Sequence, residues 1–356
     1  MNSVDKQYFD LVRYIMGHGI EKKDRTLTGT KSVFSYDMRF NMKEGFPLMT
    51  SKKMSWKAMV VELLWFLKGD TNIKYLVDNG CMIWVGDALK NFNKHIDEEN
   101  AKFNFEHPNL DYLPKARWSR EEFIEKIKTD DEFAQKWGEL GPVYGKQWRS
   151  WRGYCNGGSI KIESESVDQI ANLIKDLKTN PDSRRLMVNA WNIGEIDEMI
   201  LPPCHYVFQC YTREMSTEER NKWHFDTLCQ NPKYKVDWKD YELDQQNVPK
   251  RKLSLKFNMR SVDVPLGLPF NIASYGLFLH LLAKEVNMIP DELIFSGGDC
   301  HIYINQMEGI TQQLKQQTYK LPTVEITDKS IFDMTYDDIR LVNYQSSATI
   351  KMPLSN

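Results

Sequence analysis

The segment at residues 56–68 constrains the fold most, because it is apolar on nearly every side. A helix of this kind is stable only when other elements surround it, so the chain must build a large core. Its 356 residues, 41% of them hydrophobic, are sufficient for one. Glu62 lies inside this apolar segment, where an ionised carboxylate is costly unless it is paired, protonated or open to a wet cleft.

Periodic patterns elsewhere predict an α+β fold, in which helices pack on a substantial sheet. Strands are predicted at 33–41, 185–191, 204–211 and 253–259, and further helices at 167–178, 271–287 and 302–318. In the first strand, one buried face is predicted to hold Phe34, Tyr36, Met38 and Phe40.

Two polar segments, at about 88–137 and 212–252, have the composition of insertions into a single catalytic domain spanning 1–356. The first contains Ser119 and Glu122 in the spacing of a helix-capping box. In the second, Trp223 and Trp238 lie among many charges. We expect a solvated excursion with a small apolar cluster there, and a lid or partner surface is the alternative.

Composition excludes several classes of function. The net charge of −2 provides no basic field for nucleic acid. The chain has neither an apolar run of membrane-spanning length nor a signal-peptide pattern. Its six scattered cysteines, without a Cys-x-x-Cys pair, favour a reducing, cytoplasmic setting. The seven histidines show no metal-ligand spacing, so we expect no metal site.

The chemistry is indicated by Leu-Pro-Pro-Cys-His at 201–205, which follows Asn-Pro-Asp-Ser-Arg-Arg at 180–185. Two prolines constrain the backbone before Cys204, and adjacent arginines commonly bind phosphate or carboxylate. Together the two segments indicate a nucleophilic thiol that acts on a phosphorylated small molecule. The simpler alternatives are a buried structural cysteine and solvated surface arginines.

Nine segments in this order and spacing resemble the thymidylate synthase family. They are residues 24–26, 44–48, 62–66, 69–72, 141–148, 180–185, 201–205, 269–275 and 298–303. The resemblance implies a single α/β domain around a large mixed sheet, with a homodimer formed through that sheet. It also implies one-carbon transfer to dUMP from 5,10-methylenetetrahydrofolate as the co-substrate, without a metal.

The resemblance assigns catalytic roles to seven residues. Cys204 adds to C6 of the pyrimidine, Arg260 favours its thiolate, and Glu62 is the general acid/base, although a structurally paired carboxylate is the alternative. Asn271 pairs with O4 and N3–H of uracil. The remaining members of the catalytic set are Asp263, Tyr144 and His205.

The resemblance also assigns the binding residues. Phosphate is expected to bind Arg25, Arg184, Arg185, Arg260 and Ser261, with Arg184 and Arg185 reaching in from the other subunit. His301 and Tyr303 are expected to bind the deoxyribose hydroxyl, and Asp263 and Asn271 complete the dUMP set. The expected folate set is Lys52, Ile83, Trp84, Asp263, Leu266, Gly267 and Phe270.

Departures from the family pattern affect the expected product. Asp87 stands where the family has a second tryptophan, and the polar Asn356 ends the chain. After one-carbon transfer and release of the folate amine, the nucleotide carries an exocyclic methylene, which either hydride or water can capture. A less well sealed site favours water. These departures favour a phage-type dUMP hydroxymethylase that makes 5-hydroxymethyl-dUMP. A thymidylate synthase that makes dTMP is the alternative, and an inactive nucleotide-binding relic is a minor one.

Overall fold

The computed structural model describes residues 1–24, 27–108, 113–152, 154–157, 160–163, 166–229 and 237–354, with backbone alone at 154–157, 160–163 and 228–229. The helices are α1 (Ser3–His18), α2 (Trp56–Leu67), α3 (Lys74–Asp78), α4 (Val85–Glu106), α5 (Arg120–Thr129), α6 (Asp131–Trp137), α7 (Tyr144–Arg149), α8 (Gln169–Thr179), α9 (Thr217–His224), α10 (Asp240–Gln245), α11 (Gly267–Glu285) and α12 (Met307–Gln313). The strands are β1 (Ile20–Lys22), β2 (Thr30–Asn41), β3 (Tyr154–Gly157), β4 (Ile160–Glu163), β5 (Met187–Asn189), β6 (His205–Glu214), β7 (Arg251–Asp263), β8 (Ile289–Tyr303), β9 (Thr323–Ile326) and β10 (Ile339–Val342).

Six strands form one mixed sheet in the order β1-β2-β8-β7-β6-β5. β7 and β8 are parallel, and the other neighbours in this sheet are antiparallel. Parallel neighbours need a crossover connection, and α11 provides it as a helix that is buried along most of its length. The α+β fold with a large mixed sheet and packed helices is therefore confirmed.

The apolar segment at 56–68 forms α2, as predicted. Val60 and Trp65 are fully buried, and α2 contacts both α7 and α11. Because α2 is covered on several sides, Glu62 on the same helix is only 6% exposed.

The prediction for β2 is correct in part. Met38 and Phe40 are buried, whereas Phe34 is 85% exposed. Ser35, next to Phe34, has a φ of 70°. This left-handed conformation interrupts the regular alternation of the strand, so Phe34 does not share the environment of Met38 and Phe40.

The predicted helix at 302–318 is wrong at both ends. β8 extends to Tyr303, and helix α12 covers only Met307–Gln313. The sequence patterns do not predict β8, because Pro290 and two adjacent glycines resemble a loop. Pairing with β2 on one side and β7 on the other establishes the strand.

The two polar segments form helical excursions. In the first, the Ser119 N–H donates to Glu122 Oε2 (2.7 Å) and the Glu122 N–H donates to Ser119 Oγ (3.2 Å), which confirms the capping box. In the second, α9 and α10 are joined by Arg220, whose guanidinium contacts Asp240 (2.8 Å) and Asp244 (2.6 Å). Strands β6 and β7 take up both ends of the predicted 212–252 segment.

Candidate active site

The strand registers collect the motif residues at one end of the sheet. Cys204 directly precedes β6, and its carbonyl accepts a 2.9 Å hydrogen bond from the Arg260 N–H on β7. On the neighbouring strand pair, Asp263 stands opposite His301. Residues that are far apart in sequence therefore meet where β6 begins and where β7 and β8 end.

The backbone on both sides of Cys204 is fixed by hydrogen bonds. The Cys204 N–H donates to the Tyr144 hydroxyl at 2.7 Å. The Arg260 guanidinium donates to the carbonyls of Pro203 (2.9 Å) and Pro202 (3.0 Å). The prolines thus hold a permanent positive charge beside the segment that carries the thiol, and such a charge favours thiolate over thiol.

Next to Cys204, three buried side chains form a polar but uncharged cluster, namely Tyr144, His205 and Tyr275. The Tyr144 ring stacks on the His205 ring with centroids 4.0 Å apart, and His205 Nδ1 lies 2.9 Å from the Tyr275 hydroxyl. Burial lowers the pKa of His205 to about 3 and raises the pKa of both tyrosines. His205 is therefore neutral near pH 7.

Glu62 is a catalytic candidate whose carboxyl exchanges its proton near neutral pH. Burial raises the pKa of its carboxyl to about 7, and a hydrogen bond from Trp84 opposes that rise. The Trp84 indole N–H donates to Glu62 Oε1 at 2.8 Å. The ring centroids of Trp84 and Tyr144 are 6.1 Å apart, so Glu62 belongs to the same cluster as Cys204. A carboxyl with this pKa can both donate and accept a proton at working pH.

At the end of β7, a carboxylate and a buried amine lie close enough to interact electrostatically. Asp263 Oδ1 accepts the Leu266 N–H at 3.0 Å, and burial raises the pKa of its carboxyl. Lys52 is 5% exposed and donates to the Pro265 carbonyl. Burial lowers the pKa of Lys52 to about 8, while Asp263 acts in the opposite direction.

Gly267 opens the space between the base-reading and folate candidates. It begins α11, and a Cβ atom there would lie 3.7 Å from Asp263 Cβ and 3.8 Å from Asn271 Nδ2. Asn271 and Asp263 therefore flank one position at the start of the helix. Half-buried Phe270 follows in the same turn.

A profile of the thymidylate synthase family matches residues 6–356. This chain belongs to the thymidylate synthase family. The thymidylate synthase of Mycoplasma pneumoniae is 42% identical over 97% of this chain and 98% of its own length. Those of Listeria monocytogenes serotype 4a and Coxiella burnetii are 40% and 39% identical, each over 98% of this chain and 99% of the relative.

The family membership bears on the expected reaction. Thymidylate synthases use 5,10-methylenetetrahydrofolate as the co-substrate, so the predicted co-substrate is confirmed. The curated relatives favour the synthase alternative over the hydroxymethylase that Asp87 and Asn356 favour.

In the described ranges, no group of three or more His, Cys, Asp or Glu side chains could hold a metal ion. No helix there is long and apolar enough to cross a membrane.

Several site residues predicted from the family pattern lie around this cluster. His301 Nδ1 is 3.2 Å from Asp299 Oδ1, and its ring is 5.1 Å from the Tyr303 ring. Ile83 is 38% exposed beside buried Trp84, an arrangement that suits the face of a ring system. Ser261 is half-buried on β7. Arg25 and Asn356 lie outside the described residues.

The arginine pair lies far from Cys204 of the same chain. Arg184 and Arg185 are exposed just before β5. Because Met187 pairs with Gln209, Arg185 is level with a point about seven residues along β6 from Cys204, which is about 20 Å. The arrangement within one chain does not bring the arginines to the site.

One buried residue of the site is missing from the sequence analysis. Gln306 is fully buried, and its Nε2 lies 3.4 Å from Asp263 Oδ2 and 3.0 Å from the Pro353 carbonyl. A lone glutamine between a strand and a helix has no sequence signal of its own. Only the approach of the C-terminal segment to Asp263 reveals it.

Proposed function

We propose that the protein is a thymidylate synthase, which converts dUMP to dTMP. Methylenetetrahydrofolate supplies the one-carbon unit and the hydride. The observation that carries the proposal is the placement of Cys204 between the Tyr144 hydroxyl and the anchored guanidinium of Arg260. Such a thiol is placed to act as a nucleophile.

Cys204 starts the reaction by adding to C6 of the uracil ring. The new S–C6 bond moves the electrons of the C5–C6 double bond into an enolate, which makes C5 nucleophilic. Arg260 maintains the thiolate through its positive charge. C5 attacks the one-carbon unit and then loses its proton, and elimination of the folate amine breaks the C–N bond to leave an exocyclic methylene. Hydride from tetrahydrofolate, which becomes dihydrofolate, adds to this methylene as the S–C6 bond breaks and the thiolate is restored.

Glu62 handles protons through water at the ring oxygen and at the folate. With a pKa of about 7, the carboxyl is available in both states at neutral pH. Neutral His205 does not compete for these protons, because burial lowers its pKa to about 3. Glu62 and His205 therefore have different roles, because their surroundings set different pKa values.

Asn271 reads the base, since its amide offers one acceptor for N3–H and one donor for O4 of uracil. His301 and Tyr303 bind the 3′-hydroxyl of the deoxyribose. On the folate side, Asp263 accepts from the pterin N–H groups. Lys52, Ile83, Trp84, Leu266, Gly267 and Phe270 form the rest of that surface. The half-buried carboxylate beside apolar and aromatic side chains fits a planar, hydrogen-bonding ring.

Phosphate binding by this proposal needs two chains. Arg25, Arg260 and Ser261 act from one subunit, and Arg184 and Arg185 act from the other. The separation of about 20 Å along β6 supports this division. So does the exposure of apolar side chains on the outer sheet face, where Met187 is 50% and Tyr211 69% exposed. An isologous dimer would cover both.

Hydride transfer requires that water stay out after the folate amine leaves. The approach of the Pro353 carbonyl to Gln306 supports a closed C-terminal segment. One observation favours the hydroxymethylase as a second candidate. Asp87, in the first turn of α4 and three residues after Trp84, places a carboxyl on the folate side.

Product analysis separates these reactions. The protein is incubated with dUMP and methylenetetrahydrofolate, the nucleotide is identified by mass spectrometry, and dihydrofolate is measured by absorbance. Equal amounts of dTMP and dihydrofolate would support the synthase. 5-Hydroxymethyl-dUMP with unoxidised tetrahydrofolate would establish the hydroxymethylase instead. Unchanged dUMP would identify a binding relic, and Cys204→Ser is the control without a nucleophile.

A further inference from the structure

Gln306 lies where three parts of the site meet. Its Oε1 accepts the Tyr303 N–H at 3.3 Å, and its Nε2 faces Asp263 Oδ2 at 3.4 Å and the Pro353 carbonyl at 3.0 Å. The side chain is fully buried. One amide therefore contacts the end of β8, the carboxylate of Asp263 and the C-terminal segment.

We propose that Gln306 is a positioning residue that couples docking of the C-terminal segment to the orientation of Asp263. This inference rests on the proposed function. Nε2 carries two protons, and their directions are fixed relative to each other by the planar amide. When the Pro353 carbonyl holds one proton, the other is directed at Asp263. Docking of the C-terminal segment over the folate and orientation of the Asp263 carboxylate towards the folate thus occur together.

The contact with Gln306 affects the ionisation of the Asp263 carboxyl. Burial raises the pKa of Asp263, whereas the Leu266 N–H, the nearby His301 and then the hydrogen bond from Gln306 oppose that rise. A donor that faces a buried carboxyl favours its ionised, accepting form. Without Gln306, the ionised form of Asp263 would lose one donor, and its carboxylate would be less well oriented towards the pterin N–H groups.

The coupling predicts a selective effect on the folate. Gln306 acts on the folate side through Asp263 and Pro353, and neither contact involves Cys204 or Arg260. Its bond on the nucleotide side is to the backbone N–H of Tyr303, which pairing with Thr30 on β2 also holds in place. Its loss should therefore weaken folate binding and closure more than nucleotide binding. Water capture should increase at the same time, because an undocked C-terminal segment excludes water less well.

Gln306→Met removes both protons while it keeps the length of the side chain. Gln313→Met is the matched control. Gln313 is also fully buried, on α12, where its amide donates to Ser51 Oγ at 3.0 Å and accepts from the Tyr8 hydroxyl at 3.4 Å. Neither partner belongs to the expected dUMP or folate set. For each variant we would measure KM for both substrates, kcat, the ratio of 5-hydroxymethyl-dUMP to dTMP, and the thermal unfolding midpoint.

The expected result for Gln306→Met is a KM for methylenetetrahydrofolate about tenfold higher, the loss typical of a hydrogen bond to a charged group. KM for dUMP should change by less than about threefold, and the hydroxymethylated fraction should rise. Gln313→Met should lower the unfolding midpoint without separating the two KM values. If Gln306→Met does not fold, Gln306→Glu provides the same test, since a carboxylate there repels Asp263.

An unchanged folate KM in Gln306→Met would overturn the inference. So would a parallel rise of both KM values that matched the Gln313→Met control, because it would indicate a purely structural role. Failure of the proposed function has a different result, in which the unmodified protein makes no product from dUMP. The two failures are therefore distinguishable in one set of assays.

Discussion

The indole N–H of Trp84 donates a 2.8 Å hydrogen bond to Oε1 of Glu62, and both side chains are buried. Burial and this bond act on the carboxyl in opposite directions, and burial is the larger influence, so its pKa is about 7. One residue expected to contact the folate thus also sets the protonation of the general acid/base.

Trp84→Phe should move the pH dependence of catalysis upwards. The indole bond stabilises the ionised carboxylate, so its removal raises the pKa of Glu62 above about 7. The shift should be about one pH unit, the size expected for one hydrogen bond to a charged group. It is measured as the position of the corresponding limb in kcat at saturating substrates.

Trp65→Phe is the control for this shift. The Trp65 ring lies 6.2 Å from the Trp84 ring, but its indole donates to the Asn72 carbonyl and not to Glu62. The limb should stay in place in this variant. A limb that also stayed in place in Trp84→Phe would mean that Glu62 does not control it.

Glu62→Gln should abolish most turnover while it stabilises the protein at high pH. The folded-state pKa of about 7 exceeds the ordinary value of 4.5, so the folded protein retains a proton that the unfolded chain loses. Stability of the unmodified protein therefore falls as pH rises from about 4.5 to 7, by about 3 kcal/mol in total. Urea unfolding should show a benefit of Glu62→Gln that is about 2 to 3 kcal/mol larger at pH 8 than at pH 5. An equal effect at both pH values would contradict the raised pKa.

Cys204→Ser should abolish turnover and leave dUMP binding within about threefold, because the hydroxyl is a weak nucleophile of similar size. The direct measurement is the covalent complex with 5-fluoro-dUMP and methylenetetrahydrofolate, detected by the mass of the intact protein. Cys210→Ser is the control, since Cys210 is buried on β6. Any remaining covalent complex in Cys204→Ser would require a different nucleophile.

Asn271→Asp should shift the preference from dUMP towards dCMP. The substitution replaces an amide donor by an acceptor, which suits the amino group of cytosine and opposes O4 of uracil. The ratio of kcat/KM for dCMP to that for dUMP should rise at least about tenfold, since a mismatched buried polar group is strongly disfavoured. An unchanged ratio would show that other groups read the base.

Local patterns predicted a large part of the fold and of the site. The apolar segment gave α2, and the alternation at 253–259 gave the buried side chains of β7, because in both cases burial repeats with the period of the element. Pro-Pro-Cys-His indicated the nucleophile. These signals are local, so they survive in the sequence without knowledge of the neighbours.

The parts that could not be predicted depend on pairing between distant segments. β8 is a strand because β2 and β7 flank it, although its own sequence contains Pro290 and two adjacent glycines. Gln306 gains its place only when β8 ends beside Asp263 and the C-terminal segment returns to the same point. Long-range register, and not residue composition, decides both.

Mixed variants can test which subunit the arginine pair serves. If Arg185 serves the other subunit, two inactive variants should restore activity when they are mixed. In a hybrid of Cys204→Ser with Arg185→Glu, one site combines two altered residues, and the other combines an intact Cys204 with an intact Arg185. Random reassociation places half the chains in hybrids that have one working site each, so activity should recover to about one quarter of the unmodified level.

The experiment is performed by unfolding and refolding the two variants together, with each refolded alone as the control. An arginine that acts within its own chain gives a different result, because each hybrid site then contains one altered residue and activity stays absent. The separation of about 20 Å along β6 between Arg185 and Cys204 favours recovery. Recovery would also establish that the functional unit contains two chains, since one chain alone does not bring both residues together.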